Sequence, residues 1–174
     1  MSAFSRLLAT SGGLASLLLS AGAAAAAPVA AKTDASGSAS ILRPLTMLKQ
    51  SDLDFGELVV AGSGTAIVDP VSGALTTAGG LAKIGATAHA ATFTTTGSKN
   101  SVVLIRIPTA AVTLTQVGGS ATMTVSNWTL DGSTNRRIPQ NSAFNFSIGA
   151  TLNVAAGQAD GTYAGTFTVT VQYP

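Results

Sequence analysis

Tyr163-Ala164-Gly165-Thr166-Phe167-Thr168-Val169-Thr170-Val171-Gln172-Tyr173-Pro174 alternates large apolar and polar residues almost without interruption. Side chains of a strand point to opposite faces in turn. Tyr163, Phe167, Val169, Val171 and Tyr173 therefore share one side, and Thr166, Thr168, Thr170 and Gln172 share the other. The segment predicts a β-strand with one dry face. Because the sequence stops at Pro174, this core-forming strand is expected to close the fold with an unpaired edge beside it.

The same period recurs upstream. Phe144, Phe146, Ile148, Ala150, Leu152 and Val154 alternate with Asn145, Ser147, Gly149, Thr151 and Asn153, a second one-sided strand that is long or bent at Gly149. Thr92 to Thr96, Val102 to Ile107 and Val112 to Gln116 are rich in β-branched residues and are separated by Gly97-Ser98-Lys99-Asn100 and by Pro108. Val102-Val103-Leu104-Ile105 is apolar on both faces and predicts a central strand. From Thr122 to Leu130 the apolar phase slips, with Met123 and Val125 at odd positions and Trp128 and Leu130 at even ones. A bulge near Ser126-Asn127 restores the inward face by adding one residue.

Nearer the start, Ile41, Leu42, Leu45, Met47 and Leu48 form an apolar run carrying Pro44. Proline donates no ladder hydrogen bond, so the run predicts an edge strand. Asp52 to Val60 reads as a turn and a strand, Ala61-Gly62-Ser63-Gly64 as a turn into Thr65 to Asp69, and Pro70 to Gly73 as a further turn. Ala74 to Ala90 is rich in Gly, Ala and Thr and predicts a short strand at Ala74 to Thr77 followed by a long loop. Asp131 to Pro139 reads as a polar loop, and Gly157 to Thr162 as a turn. No sustained helical period follows Pro28. About nine or ten short strands without a βαβ rhythm predict an all-β chain, an antiparallel β-sandwich with Greek-key connections. A closed barrel is the structural alternative. A membrane β-barrel fits less well, because most strands fall short of the ~10 residues a bilayer requires. The 5% aromatic content is also too thin for two interfacial girdles.

The amino terminus reads as an export signal. Arg6 supplies a short positive region, Leu7 to Ala21 an apolar stretch centred on Leu17-Leu18-Leu19, and Ala23 to Ala27 small-residue cleavage sites. Pro28 hinders cleavage at Ala27, which favours a cut one or two residues earlier. The expected organisation is a signal peptide over residues 1–27, a flexible N-terminal arm over 28–40 and a β-sandwich domain over 41–174. The arm is small, polar and aperiodic, so it cannot bury enough apolar surface to offset its ordering entropy. The expected address is outside the cytosol of a bacterium: periplasm, cell surface or extracellular medium. No membrane span is expected in the mature protein.

Composition narrows the function classes. The 174 residues are 46% hydrophobic and 9% charged, a length that makes one domain with a sufficient core of its own. Without Arg6, eight basic and seven acidic residues remain, and Arg136-Arg137 is the one adjacent like pair. Nothing resembles a phosphate-collecting face, which argues against a nucleic-acid partner. An exported chain with no cysteine relies on packing and sheet hydrogen bonds.

Residues that could carry chemistry each have a plainer explanation. His89, the single histidine, lies in a small-residue stretch with no Gly-x-Ser-x-Gly elbow, so a loop role is favoured over a general base. One histidine and no cysteine exclude the usual zinc sets. Asp52, Asp54 and Glu57 lack the spacing of known calcium loops and serve as turn formers. Trp128, Tyr163 and Tyr173 could form a sugar-stacking platform, yet their one-sided strand positions favour core packing. Arg136-Arg137 in a polar loop reads as solvated. Asn127-Trp128-Thr129 and Asn145-Phe146-Ser147 match the glycosylation acceptor pattern but fall within strands of a chain with a bacterial signal. No catalytic, cofactor-binding or metal residues are assigned, and no enzyme activity is expected.

Taken in order, Ser38 to Val59 with Leu53-Asp54-Phe55-Gly56 at its heart, the pair Gly79-Gly80, and Asn153 to Tyr173 with Gly161-Thr162-Tyr163-Ala164-Gly165-Thr166-Phe167 resemble the DUF4402 family of exported bacterial proteins. The resemblance covers roughly Ser40 to Tyr173 and implies a signal peptide and an immunoglobulin-like sandwich, without a biochemical activity. The closing strand is also similar to the final strand of fimbrial and spore-coat-U-type pilin subunits, where a Gly-x-Tyr start and a penultimate Tyr recur. In those subunits the sandwich is incomplete and a neighbour inserts an extended arm. This chain departs from them in having no disulfide and in an arm, Pro28 to Ser40, whose one large apolar residue is Val29. For donation, Ile41, Leu45 and Met47 would have to leave their own core.

The expected function is that of an exported non-enzymatic structural or adhesive surface protein, a fimbria- or pilus-like subunit assembling through terminal edge strands. Its expected partners are copies of itself or related subunits, and a periplasmic chaperone. The alternative is a monomeric periplasmic or secreted binding module with saccharide as the ligand class.

Overall fold

Phe146, Ile148, Ala150, Leu152 and Val154, one phase of an alternating stretch, are all buried along a single strand at the centre of the fold. The structure is a computed structural model describing residues 32–85 and 87–174. The expected signal peptide and the first residues of the arm lie outside the described residues. Ser40–Pro174 forms one compact unit. Among the described residues there are eleven strands and no helix: β1 (Thr46–Ser51), β2 (Glu57–Val68), β3 (Leu75–Ile84), β4 (Ala91–Thr96), β5 (Val102–Arg106), β6 (Val112–Gln116), β7 (Thr122–Leu130), β8 (Asn135–Arg137), β9 (Ala143–Val154), β10 (Tyr163–Ala164) and β11 (Thr170–Gln172).

All pairings are antiparallel, and the strands form two sheets. The larger has eight strands, with β1-β4-β9-β7-β6-β10 as its main path. Strand β9 is long enough to take two partners along one edge: β4 pairs with its first half, at Ala143 to Ile148, and β2 pairs with Thr151 to Val154. Strand β3 completes this sheet against β2. The smaller sheet has three strands in the order β11-β5-β8.

The sheets pack face to face, as in a sandwich. Phe93 and Phe146 stack with ring centroids 5.2 Å apart. Ile105 from β5, and Val169 and Val171 from the carboxy-terminal segment, join them and Ile148 in one apolar cluster. A second cluster on the larger sheet gathers Phe55, Val68, Leu81, Val125, Leu152 and Val154. Burial of such side chains is worth ~1.5–3 kcal/mol each. The outer face of the larger sheet is zipped by polar cross-strand pairs, including Ser51 with Thr92, Thr94 with Asn145 and Asn153 with Ser126.

Several local readings hold. The register slips between Ser126 and Thr129, and Asn127 takes φ 49°, so the bulge turns Trp128 inward as the phase change required. Strand β1 is an edge strand that begins after Pro44. The turn after β2 is built by Asp69, whose side chain accepts from the main-chain N–H of Val71 and Ser72.

Others are corrected. Ala61 to Gly64 is not a turn but an irregular stretch inside β2, where a Cβ on Gly80 would stand 2.5 Å from Gly62 Cα. The glycines let the two backbones meet. Residues 74–90 contain the ten-residue β3 where a long loop was expected, because pairing with β2 overrides weak local propensity. Asp131 to Pro139 includes the short strand β8. Strand β5 is central to its sheet, yet only Val103 and Ile105 are buried, so one of its faces is open. The terminal strand divides into β10 and β11. Gly165 passes over β6, where a Cβ would meet the Thr113 carbonyl oxygen and Leu114 Cδ2 at 2.7 Å.

Candidate functional site

Three strands cannot cover the inner face of eight. The inner face of the larger sheet carries a groove of about 660 Å³ with an apolar floor: Val112 and Leu114 of β6 and Met123 of β7 are half-buried there, beside the buried Val125 of β7 and Leu152 and Val154 of β9. One wall is the approach to β2, Leu53 to Val60, and the other is the carboxy-terminal stretch from Gln158 to Phe167. Leu58, Val60, Leu114, Met123 and Trp128 are each half-buried, so apolar surface is left in contact with solvent.

The second wall includes main chain without partners. Strand β10 pairs with β6 over Tyr163 and Ala164, and β11 pairs with β5 over Thr170 to Gln172. Between them lie Gly165 to Val169, with Phe167 and Val169 packed against the buried cluster of Phe93, Ile105 and Phe146. Among the described residues this segment makes no main-chain hydrogen bond. Strand β11 is also an edge, since β5 is its one partner. The result is an open edge from Gly165 to Gln172 bordering an open apolar groove, and an unpaired edge is a template for another strand.

The walls are braced locally. Asp54 and His89 exchange main-chain hydrogen bonds at 3.0 and 2.9 Å, and Asp54 Oδ1 accepts from the Gly56 N–H at 2.7 Å. On the other side Gln116 donates to the Asp160 carbonyl, and Tyr163 Oη donates to the Ala159 carbonyl while accepting from Gln158, each at 2.7 Å. Trp128 packs on Phe167 with centroids 4.6 Å apart, and its Nε1 donates to the Ala110 carbonyl at 3.1 Å. The charged residues lining the groove are Asp54, Glu57 and Asp160, with no lysine or arginine among the lining residues.

The structure separates most of the residues singled out from the sequence. His89 Nε2 stands 4.0 Å from Asp54 Oδ2 with both side chains about half exposed, and its ring makes no hydrogen bond to a hydroxyl. Asp52 pairs with Lys49, whereas Asp54 and Glu57 line the groove. Trp128 and Tyr163 both reach the groove, but Tyr173 does not: its hydroxyl is bound between Arg43 and Ser98. Arg136 pairs with Asp131, and Arg137 donates to the Asn100 carbonyl at 3.0 Å, so the basic pair holds loops together. Leu45 lies against Gly97 within its own domain, whereas Met47 is 40% exposed and Ile41 96%. Sequence reading missed the groove itself. Its half-buried floor residues Val112, Leu114 and Met123 have the same apolar phase as covered core residues, and nothing in their order tells which stretch is left partly bare.

Comparison with curated proteins and with solved structures gives no match. The family model described as a domain of unknown function, DUF4402, matches residues 45–173, and the chain belongs to that family.

Proposed function

We propose that this protein is an exported, non-enzymatic structural or adhesive subunit that assembles by strand addition at its carboxy-terminal edge. The observation that carries this reading is the coincidence of the unpaired Gly165 to Val169 backbone with the open apolar groove. An added strand would bond the free N–H and C=O groups with its main chain and fill the groove with alternate side chains. Apolar area removed from water stabilises by about 25 cal/mol per Å², which favours occupancy. The export reading rests on the Arg6 to Ala27 pattern.

The test is association in the native cell envelope. Cross-linking of wild-type protein and of a Leu114→Glu variant should show a higher-molecular-mass species that the variant loses. A protein that stays monomeric in the envelope in both forms would sink the proposal.

A saccharide-binding module is the second reading, favoured by Trp128 and Tyr163 bordering one groove. It predicts a hit in a glycan screen that Trp128→Ala abolishes.

A further inference from the structure

We infer that the occupant of this groove is a segment of a different polypeptide: extended, with large apolar side chains at alternate positions and with lysine or arginine at its ends. This rests on the strand-addition reading above and identifies its partner.

Three observations carry it. The open edge from Gly165 to Gln172 spans about 26 Å at ~3.3 Å per residue and can register an extended strand of similar length. Such a strand turns every second side chain toward the groove floor, where the half-buried Val112, Leu114 and Met123 are apolar, so alternate large apolar residues are required.

The rim is acidic. Asp54, Glu57 and Asp160 are three of the seven acidic residues of the chain, and no basic residue lines the groove to balance them. Basic residues flanking the apolar stretch complement that rim and speed encounter.

The chain's own arm lacks this chemistry. From Pro28 to Leu42 its large apolar residues are Val29, Ile41 and Leu42. Ile41 and Leu42 are adjacent and face opposite sides when extended. In a fully extended chain Val29 and Ile41 would share a side about 40 Å apart, farther than the open edge reaches. From Arg43 onward the chain is fixed to its own domain through Tyr173 and Ser98. A second copy therefore has one large side chain to offer a groove that seats several.

Synthetic peptides test the assignment, with Trp128, the single tryptophan, as the optical reporter and amide exchange at Thr166 to Val169 as the structural one. The probe alternates valine and threonine over about eight residues between paired lysines. Controls carry paired glutamates, shuffle the same residues out of phase, or reproduce residues 28–43 of this chain. The expected result is a blue shift of Trp128 emission and protection of the Thr166 to Val169 amides with the lysine-flanked probe. Roughly tenfold weaker binding is expected with glutamate ends at low salt, and weaker still with the shuffled and 28–43 peptides. The double variant Glu57→Gln, Asp160→Asn, which alters only exposed side chains and leaves Asp54 as the one rim carboxylate, should reduce the preference for lysine over glutamate ends; an unchanged preference overturns the charge assignment. If the 28–43 peptide binds as tightly as the probe, the occupant is a second copy; this inference then fails and strand addition stands. Equal binding of lysine- and glutamate-ended peptides overturns the charge assignment, and binding without amide protection overturns the strand geometry. If no peptide binds at millimolar concentration, this inference and the strand-addition reading fall together.

Discussion

Tyr173 Oη donates to the main-chain oxygen of Arg43 at 2.8 Å, joining β11's outgoing chain to the point where the amino-terminal arm meets the domain. The same hydroxyl accepts from the Ser98 N–H at 2.8 Å, and Ser98 Oγ in turn accepts from the Arg43 N–H at 2.6 Å. Three segments distant in sequence are thus held at one oxygen atom. Tyr173→Phe keeps the ring and removes both bonds, leaving the Ser98 N–H without its partner. It should cost about 1–3 kcal/mol in urea unfolding and speed amide exchange at Ser98. An unchanged midpoint would show that the clasp is not stabilising.

Thr95 is fully buried on β4, and its hydroxyl has no hydrogen-bond partner. Replacing it with the isosteric valine removes an unsatisfied polar group from the core while keeping shape. Thr95→Val should stabilise the domain by about 1 kcal/mol, read as a rise in denaturation midpoint at unchanged slope.

Asn127 sits at the β7 bulge with φ 49°, a backbone that asparagine and glycine tolerate and β-branched residues resist. Asn127→Val should cost roughly 1–2 kcal/mol, and Asn127→Gly only a few tenths. Trp128 emission reports whether the ring keeps its place on Phe167 in each variant.

Asp69 follows β2, and the main-chain N–H of Ser72 and then its hydroxyl hold the Asp69 carboxyl below its ordinary value of 3.8, against an opposing effect of desolvation, with the Val71 N–H adding least. A depressed pKa in the folded state contributes stability above the unfolded value, and that stability is lost as pH falls through the depressed one. Thermal unfolding should therefore show a shallower loss of Tm in Asp69→Asn than in wild type as pH drops below about 4. Parallel curves would refute a role for this carboxylate in acid stability.

Much of the fold was legible locally. The alternation of β9, the Val112–Gln116 strand and the phase slip at Ser126-Asn127 were readable because side-chain direction in a strand depends on residue order alone. The Gly62 and Gly80 contact was not readable, since glycines that mark a turn in sequence also permit two backbones to touch. Strand β3 was hidden for a related reason: its Gly- and Ala-rich residues carry little preference of their own and take strand form from β2.

By itself the sequence determined that the domain is all-β, which residues of the long strand β9 face inward, and that Tyr163, Phe167, Val169, Val171 and Tyr173 share a side. Only the tertiary structure decided that these residues join two different sheets, that Gly165 to Val169 is left unpaired between them, and that the groove lies open beside it. The physical reason is that alternation fixes which way a side chain points, whereas covering it depends on how many strands each sheet recruits from distant parts of the chain.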